Sequence, residues 1–127
     1  MIAQACAFNA VPICTLYHTL TVENIGQSLA ECGAKAIFTN ADLLPTLERV
    51  IAKTPITLIV YDGEADQTTL DSFHWCKNLE IVHIDDLRQI GQDHPYQGQR
   101  AKRDDVYCCM YTSGGGEWRC PELRTDN

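Results

Sequence analysis

The run from Ile56 to Asp62, ITLIVYD, constrains the fold more than any other stretch of this sequence. It is apolar almost throughout instead of alternating, which is the pattern of a strand covered on both faces in the middle of a parallel sheet. A parallel strand needs a crossover to reach its neighbour, so helical segments are expected on either side of it. Both flanks supply them. Upstream, TVENIGQSLAECG places Val22, Ile25, Leu29 and Cys32 at helical spacing between a capping Thr21 and a terminating Gly33. AKAIFT then reads as a strand, and NADLLPTLERVIAKT as one helix capped by Asn40, with Leu43, Leu44, Leu47, Val50 and Ile51 on one stripe. Pro45 falls in its first turns, where a missing N–H costs least.

Downstream, GEADQTTLDSFHWCKNL reads as a loop and a weaker helix, EIVHID as a strand, and DDLRQIGQ as a short helix for which Asp85 and Asp86 supply cap and first-turn acid. Near the start, AVPICT (Ala10 to Thr15) reads as a further buried strand after a helix-like opening. The polar stretch DHPYQGQRAKRDD is a surface connection, and VYCCMYTSGGG a last apolar strand running into glycines. Four or five strands alternating with helices predict an α/β fold: a partial doubly wound, mostly parallel sheet with helices on both faces. The opening IAQACAF has no cap residue before it and reads as a helix already under way, so the sequence is expected to be a piece of something longer.

Charge and cysteine usage narrow the function. A net charge of −7 with ten Lys and Arg in 127 residues argues against nucleic-acid binding and against attraction to anionic lipid. No stretch has the roughly 20 apolar residues of a membrane span. Cys6, Cys14, Cys32, Cys76, Cys108, Cys109 and Cys120 form no CxxC and no Cys/His tetrad, so they read as small apolar residues in a reducing, intracellular compartment. Adjacent Cys108 and Cys109 point to opposite faces of a strand and are poorly placed to bond. His18, His74, His83 and His94 are scattered, with no i, i+4 pair, and no metal site is expected. Trp75, close to Phe73, reads as core.

Ligands of open α/β sheets bind beyond the carboxyl ends of the strands. That directs attention to Asp62-Gly63, to Asp85-Asp86 and above all to YTSGGG at residues 111–116. Hydroxyls and unhindered backbone N–H groups there suit a phosphate chain. A Ser-Gly-Gly-Gly run is equally what a flexible linker looks like, and the residues alone leave both readings open.

The stretch DDVYCCMYTSG resembles the signature of AMP-forming acyl-CoA synthetases, in which a strand delivers Y-T-S-G-[ST]-T-G-x-P-K-G; Tyr111, Thr112, Ser113 and Gly114 match it. Upstream, residues 3–47 are similar to a region of long-chain fatty acyl-CoA synthetases. Pro12, Thr15, Tyr17, Thr19 and Leu20, then Ser28-Leu29, Ala36-Ile37-Phe38-Thr39 and Leu43-Leu44, fall in step with it. The resemblance implies an adenylate-forming, ATP-dependent long-chain fatty acid–CoA ligase: a fatty acid carboxylate attacks ATP to give an acyl-adenylate and pyrophosphate, and coenzyme A then displaces AMP. It implies ATP with Mg²⁺ and coenzyme A as cofactors, and ATP, fatty acid and coenzyme A as partners. Thr112, Ser113 and Gly114 become the residues on the ATP phosphates. Such enzymes often work at the endoplasmic reticulum, peroxisomes or lipid droplets.

After Gly114 the sequence departs from the family pattern. It reads Gly115-Gly116-Glu117-Trp118-Arg119-Cys120-Pro121, without the loop's lysine, and Glu117 opposes a polyphosphate. Residues 1–114 are therefore expected to be a partial AMP-binding domain and 115–127 a divergent, disordered tail, as a frame shift or a mistaken exon end would produce. No catalytic residue is assigned, and the chain alone is expected to lack ligase activity. Two other readings stay open: a stand-alone α/β nucleotide- or acyl-binding module or interaction protein without catalysis, and a poorly folding remnant.

Overall fold

The computed structural model describes residues 1–98, residue 102 and the backbone of two short strands at 107–108 and 122–123. The chain divides into two compact units: residues 18–95, and residues 1–17 together with 96–127.

The unit of residues 18–95 is a parallel α/β layer. Its elements are α2 (Val22–Cys32, after a first helix α1 in the other unit), β1 (Ala36–Asn40), α3 (Leu44–Glu48), β2 (Leu58–Asp62), α4 (Gln67–Asp71), β3 (Glu80–His83) and α5 (Ile84–Asp93). The strands run in the order β1-β2-β3, all parallel, with Ile37 opposite Ile59 and Ile59 opposite Ile81. The central strand is the ITLIVYD run, as its lack of alternation requires. Ile59 and Tyr61 on one face and Val60 on the other are all buried, Ile59 completely. The outer strand β1 alternates between exposed and half-buried positions, and Phe38 is 43% exposed.

Helix α2 has both ends the sequence calls for. Thr21 Oγ1 accepts from the Asn24 N–H at 3.3 Å, and Gly33 closes the helix in the left-handed region at φ 64°. Its inner face buries Ile25, Ser28 and Leu29, and Gly26 lies so close to Val50 that a Cβ there would sit 3.2 Å from that side chain. The expected long helix over residues 40–54 is instead three short pieces: a 3₁₀ turn at Ala41–Leu43, α3, and a 3₁₀ turn at Ile51–Lys53. The stripe still does its work, since Leu44, Leu47, Val50 and Ile51 are buried. The three short pieces thus bury the same side chains that a single α-helix would place on one stripe. Asn40 precedes the first of these turns, but its side chain makes no capping bond.

In the other unit, α1 (Ile2–Phe8) buries no residue. The strand expected at residues 10–15 is not formed. Ala10 adopts a positive φ of 52°, and the N–H groups of Asn9, Ala10 and Val11 turn back to carbonyls of α1, with Val11 N–H to Cys6 O at 2.9 Å. Pro12 has no N–H, so four successive positions cannot join a ladder. β4 (Tyr107–Cys108) and β5 (Glu122–Leu123) form an antiparallel pair, with Tyr107 opposite Leu123. The expected strand at 106–116 is described only as β4. Among the described residues, no helix is long and apolar enough to cross a membrane.

Candidate functional site at the carboxyl edge of the sheet

Parallel strands bring their carboxyl ends to one edge, and in this sheet Asn40, Asp62 and His83 terminate the three strands there, with Asn40 in register with Asp62 and Tyr61 with His83. The crevice beyond such an edge is where ligands of open α/β sheets bind. Asp62 is exposed, and the turn after it uses Gly63 at φ 98°, a conformation that an L-residue adopts only with strain.

At the end of β3 a small polar constellation forms. His83 is both the last strand residue and the N-cap of α5, and its Nδ1 accepts from the Asp85 N–H at 3.2 Å. Its ring meets Tyr61 edge-on, with centroids 5.1 Å apart. Asp85 Oδ1 accepts from Arg88 at 2.7 Å. Asp85 and Asp86 are thus both first-turn acids, and the cap assigned to Asp85 belongs to His83. The helix begins at Ile84, one residue earlier than the sequence suggests, with that side chain buried. His83 escapes a reading of the sequence because capping is sought among Ser, Thr, Asp and Asn.

Beside the sheet lies a cleft of about 400 Å³ lined by Tyr61, Leu70, Phe73, His74, Cys76 and Ile81, among others. Phe73 is buried, whereas Trp75, expected in the core, is 45% exposed: it borders a second hollow, of about 210 Å³, with Ile51, Ile56 and Leu79. The cleft does not look nucleophilic. Burial pushes the Cys76 thiol up, and the Glu48 carboxylate adds to the shift, both disfavouring the thiolate. His74 Nδ1 is engaged with the Asp71 carbonyl. Asp66, the N-cap of α4, is held below its usual carboxylate range because Thr69 donates to it, with the backbone N–H at 2.7 Å. Cys6, Cys14, Cys32 and Cys76 are half-buried thiols; the side chains of Cys108, Cys109 and Cys120 lie outside the described residues. Among the described residues, no three His, Cys, Asp or Glu side chains converge as metal ligands. Thr112, Ser113 and Gly114, the residues the sequence assigns to ATP, also lie outside the described residues.

Comparison with known proteins matches the family model described as AMP-binding enzyme to residues 1–115. Long-chain-fatty-acid–CoA ligase 2 of Schizosaccharomyces pombe is 36% identical over 114 residues, covering 88% of this chain and 16% of that protein. A palmitoyl-CoA ligase of Gibberella moniliformis is 30% identical over 118 residues, covering 88% of this chain and 17% of its own length. Long-chain-fatty-acid–CoA ligase 1 of Saccharomyces cerevisiae is 28% identical over 141 aligned positions, covering 92% of this chain and 19% of that protein. The chain therefore spans less than a fifth of the length of these relatives.

Proposed function

The chain belongs to the AMP-binding enzyme family, and on that premise we propose that it is part of an ATP-dependent long-chain fatty acid–CoA ligase, contributing the parallel sheet that leads into the phosphate-binding loop. The observation that carries this reading is the coincidence of two limits. The family match ends at residue 115, one residue beyond Gly114, where the sequence leaves the Y-T-S-G-[ST]-T-G-x-P-K-G pattern. Similarity to fatty acid–CoA ligases from three fungi supports the substrate class.

In this reading Thr112 and Ser113 hydroxyls and the Gly114 N–H hold the ATP phosphates while the fatty acid carboxylate attacks the α-phosphorus. A Mg²⁺ ion bound with the ATP phosphates would supply positive charge to balance the pyrophosphate leaving group, and coenzyme A would accept the acyl group from the adenylate. These 127 residues alone do not carry out the reaction. A cation on the loop is needed to stabilise the transition state, and the sequence after Gly114 offers Glu117 and Trp118 before Arg119. The partial AMP-binding domain ends at Gly114, and residues 115–127 contribute nothing to ATP binding. Seven cysteines without a CxxC pair suit a reducing compartment.

The test is pyrophosphate release from the purified chain with ATP, Mg²⁺ and a C16 fatty acid, alongside an ATP titration. No release and no saturable ATP binding below the millimolar range are expected. Fatty-acid-dependent release would overturn the inactivity, and micromolar ATP binding without turnover would favour a stand-alone nucleotide-binding module.

A further inference from the structure

We infer that His83 is a protonation-sensitive cap, holding the first turn of α5 when its imidazole is neutral and releasing it when the ring takes up a proton. The inference is independent of the ligase reading. An N-cap must present an acceptor to the free N–H groups of the first turn. Ser, Thr, Asn and Asp do so through oxygen; here the acceptor is a ring nitrogen, Nδ1, at 3.2 Å from the Asp85 N–H. An imidazole that accepts at Nδ1 carries its proton on Nε2. Protonation places a second N–H at Nδ1, facing the Asp85 N–H, and the hydrogen bond is lost.

The surroundings decide what replaces the cap. From α5, Asp85 presents a carboxylate oxygen 3.7 Å from Nδ1, and Arg88 binds the other oxygen of the same carboxylate at 2.7 Å. Asp86 adds a second first-turn acid. From β2 the facing group is the Tyr61 ring, and the residue in register beyond it on β1, Thr39, carries no charge. Asp62 follows Tyr61 on β2 and points to the opposite face of the sheet by strand alternation. Among the described residues a protonated His83 therefore has one charged partner within reach, the Asp85 carboxylate, and turns from the backbone of the first turn to that side chain, in competition with Arg88. His83 is 28% exposed in its side chain, so protons reach it from solvent without unfolding. Imidazoles as a class change charge between about pH 5 and 8, and that is the range over which the exchange of partners is to be sought. It takes place where β3 ends, so the local order of the sheet's carboxyl edge becomes pH-dependent.

The experiment is amide hydrogen exchange of the full chain at pH 7.5 and pH 5, corrected for intrinsic exchange rates, read at Asp85. Wild-type protection at that amide is expected to fall about fivefold at pH 5, the loss of one capping hydrogen bond. His83→Asn, which caps through an amide oxygen at either pH, is expected to show no fall. Equal wild-type protection at the two pH values, or the same fall in His83→Asn, would overturn the inference. A second readout needs no variant: imidazole nitrogen chemical shifts at pH 7.5 should report the Nε2–H tautomer for His83, and an Nδ1–H tautomer would overturn it equally.

Discussion

Replacing Ile59 by alanine tests the layout of the sheet quantitatively, because the isoleucines at 37, 59 and 81 lie side by side in register on one face while differing in burial. Ile59 is fully buried, whereas Ile37 on β1 and Ile81 on β3 are half-buried. The substitution removes three carbon atoms, each worth about 0.8 kcal/mol of transfer free energy when fully buried, roughly 2.4 kcal/mol in all. A residual cavity in a well-packed centre raises this to about 3 kcal/mol or more. At Ile37 half of the transfer term applies and the edge can close over the gap, leaving about 1 kcal/mol. For a unit of residues 18–95, whose total stability should be of order 5 kcal/mol, Ile59→Ala consumes most of the margin. Its melting temperature should fall by about 15 °C against about 5 °C for Ile37→Ala. Urea and thermal unfolding of the full chain, followed by far-ultraviolet circular dichroism, measure the free-energy loss and the melting temperature of both variants. Equal losses, or a larger loss at Ile37, would mean that β2 is not the central strand and would refute the order β1-β2-β3.

Ser28 is buried completely and its Oγ has no hydrogen-bond partner among the described residues, so Ser28→Ala should be neutral or stabilise by up to about 1 kcal/mol in the same assay; a clear loss of stability would reveal an unrecognised bond. Gly33→Ala should cost about 1 kcal/mol, since φ at 64° penalises a Cβ even though open space surrounds it, and no loss would contradict the left-handed C-cap. Asp66 is a depressed carboxylate, so its contribution is present above the unfolded value near 3.9 and disappears as pH falls through the lower native value. Protection of the Thr69 amide should therefore drop below about pH 4 in the wild type and stay level in Asp66→Asn, which keeps an acceptor without the titration; an identical drop in both would exclude Asp66 as its source.

What could be read in advance followed the strength of the local signal. The ITLIVYD strand and the α2 ends at Thr21 and Gly33 were legible because each requirement leaves a direct mark on the residue types: an unbroken apolar run for double-sided burial, a first-turn acceptor, a glycine for left-handed closure. Residues 40–54 showed which side chains are buried but not how the backbone delivers them, because 3₁₀ and α turns differ by less than a residue per turn and a short stripe fits both. Ala10 to Thr15 misled because β-branched and apolar residues next to a proline look alike whether they pair in a sheet or follow a helix as irregular chain. Trp75 misled in the same way: proximity to Phe73 in sequence says nothing about which of two neighbours turns inward. Of the candidate site, the carboxyl edge at Asp62-Gly63 follows from the parallel order of the strands. The phosphate-binding assignment at Thr112, Ser113 and Gly114 rests on motif resemblance alone, because neither periodicity nor charge distinguishes a phosphate loop from a linker.

The most direct test of ligase membership is a chimera in which residues 1–114 replace the matching segment of Schizosaccharomyces pombe long-chain-fatty-acid–CoA ligase 2, with that protein's own residues following from the phosphate loop onward. Fatty-acid-dependent pyrophosphate release and acyl-CoA formation are expected from this chimera. They should be lost when the residues immediately after Gly114 are replaced by Gly115 to Asn127 of this chain. A chimera that unfolds as cooperatively as the parent ligase yet releases no pyrophosphate would contradict the assignment of these residues to a fatty acid–CoA ligase.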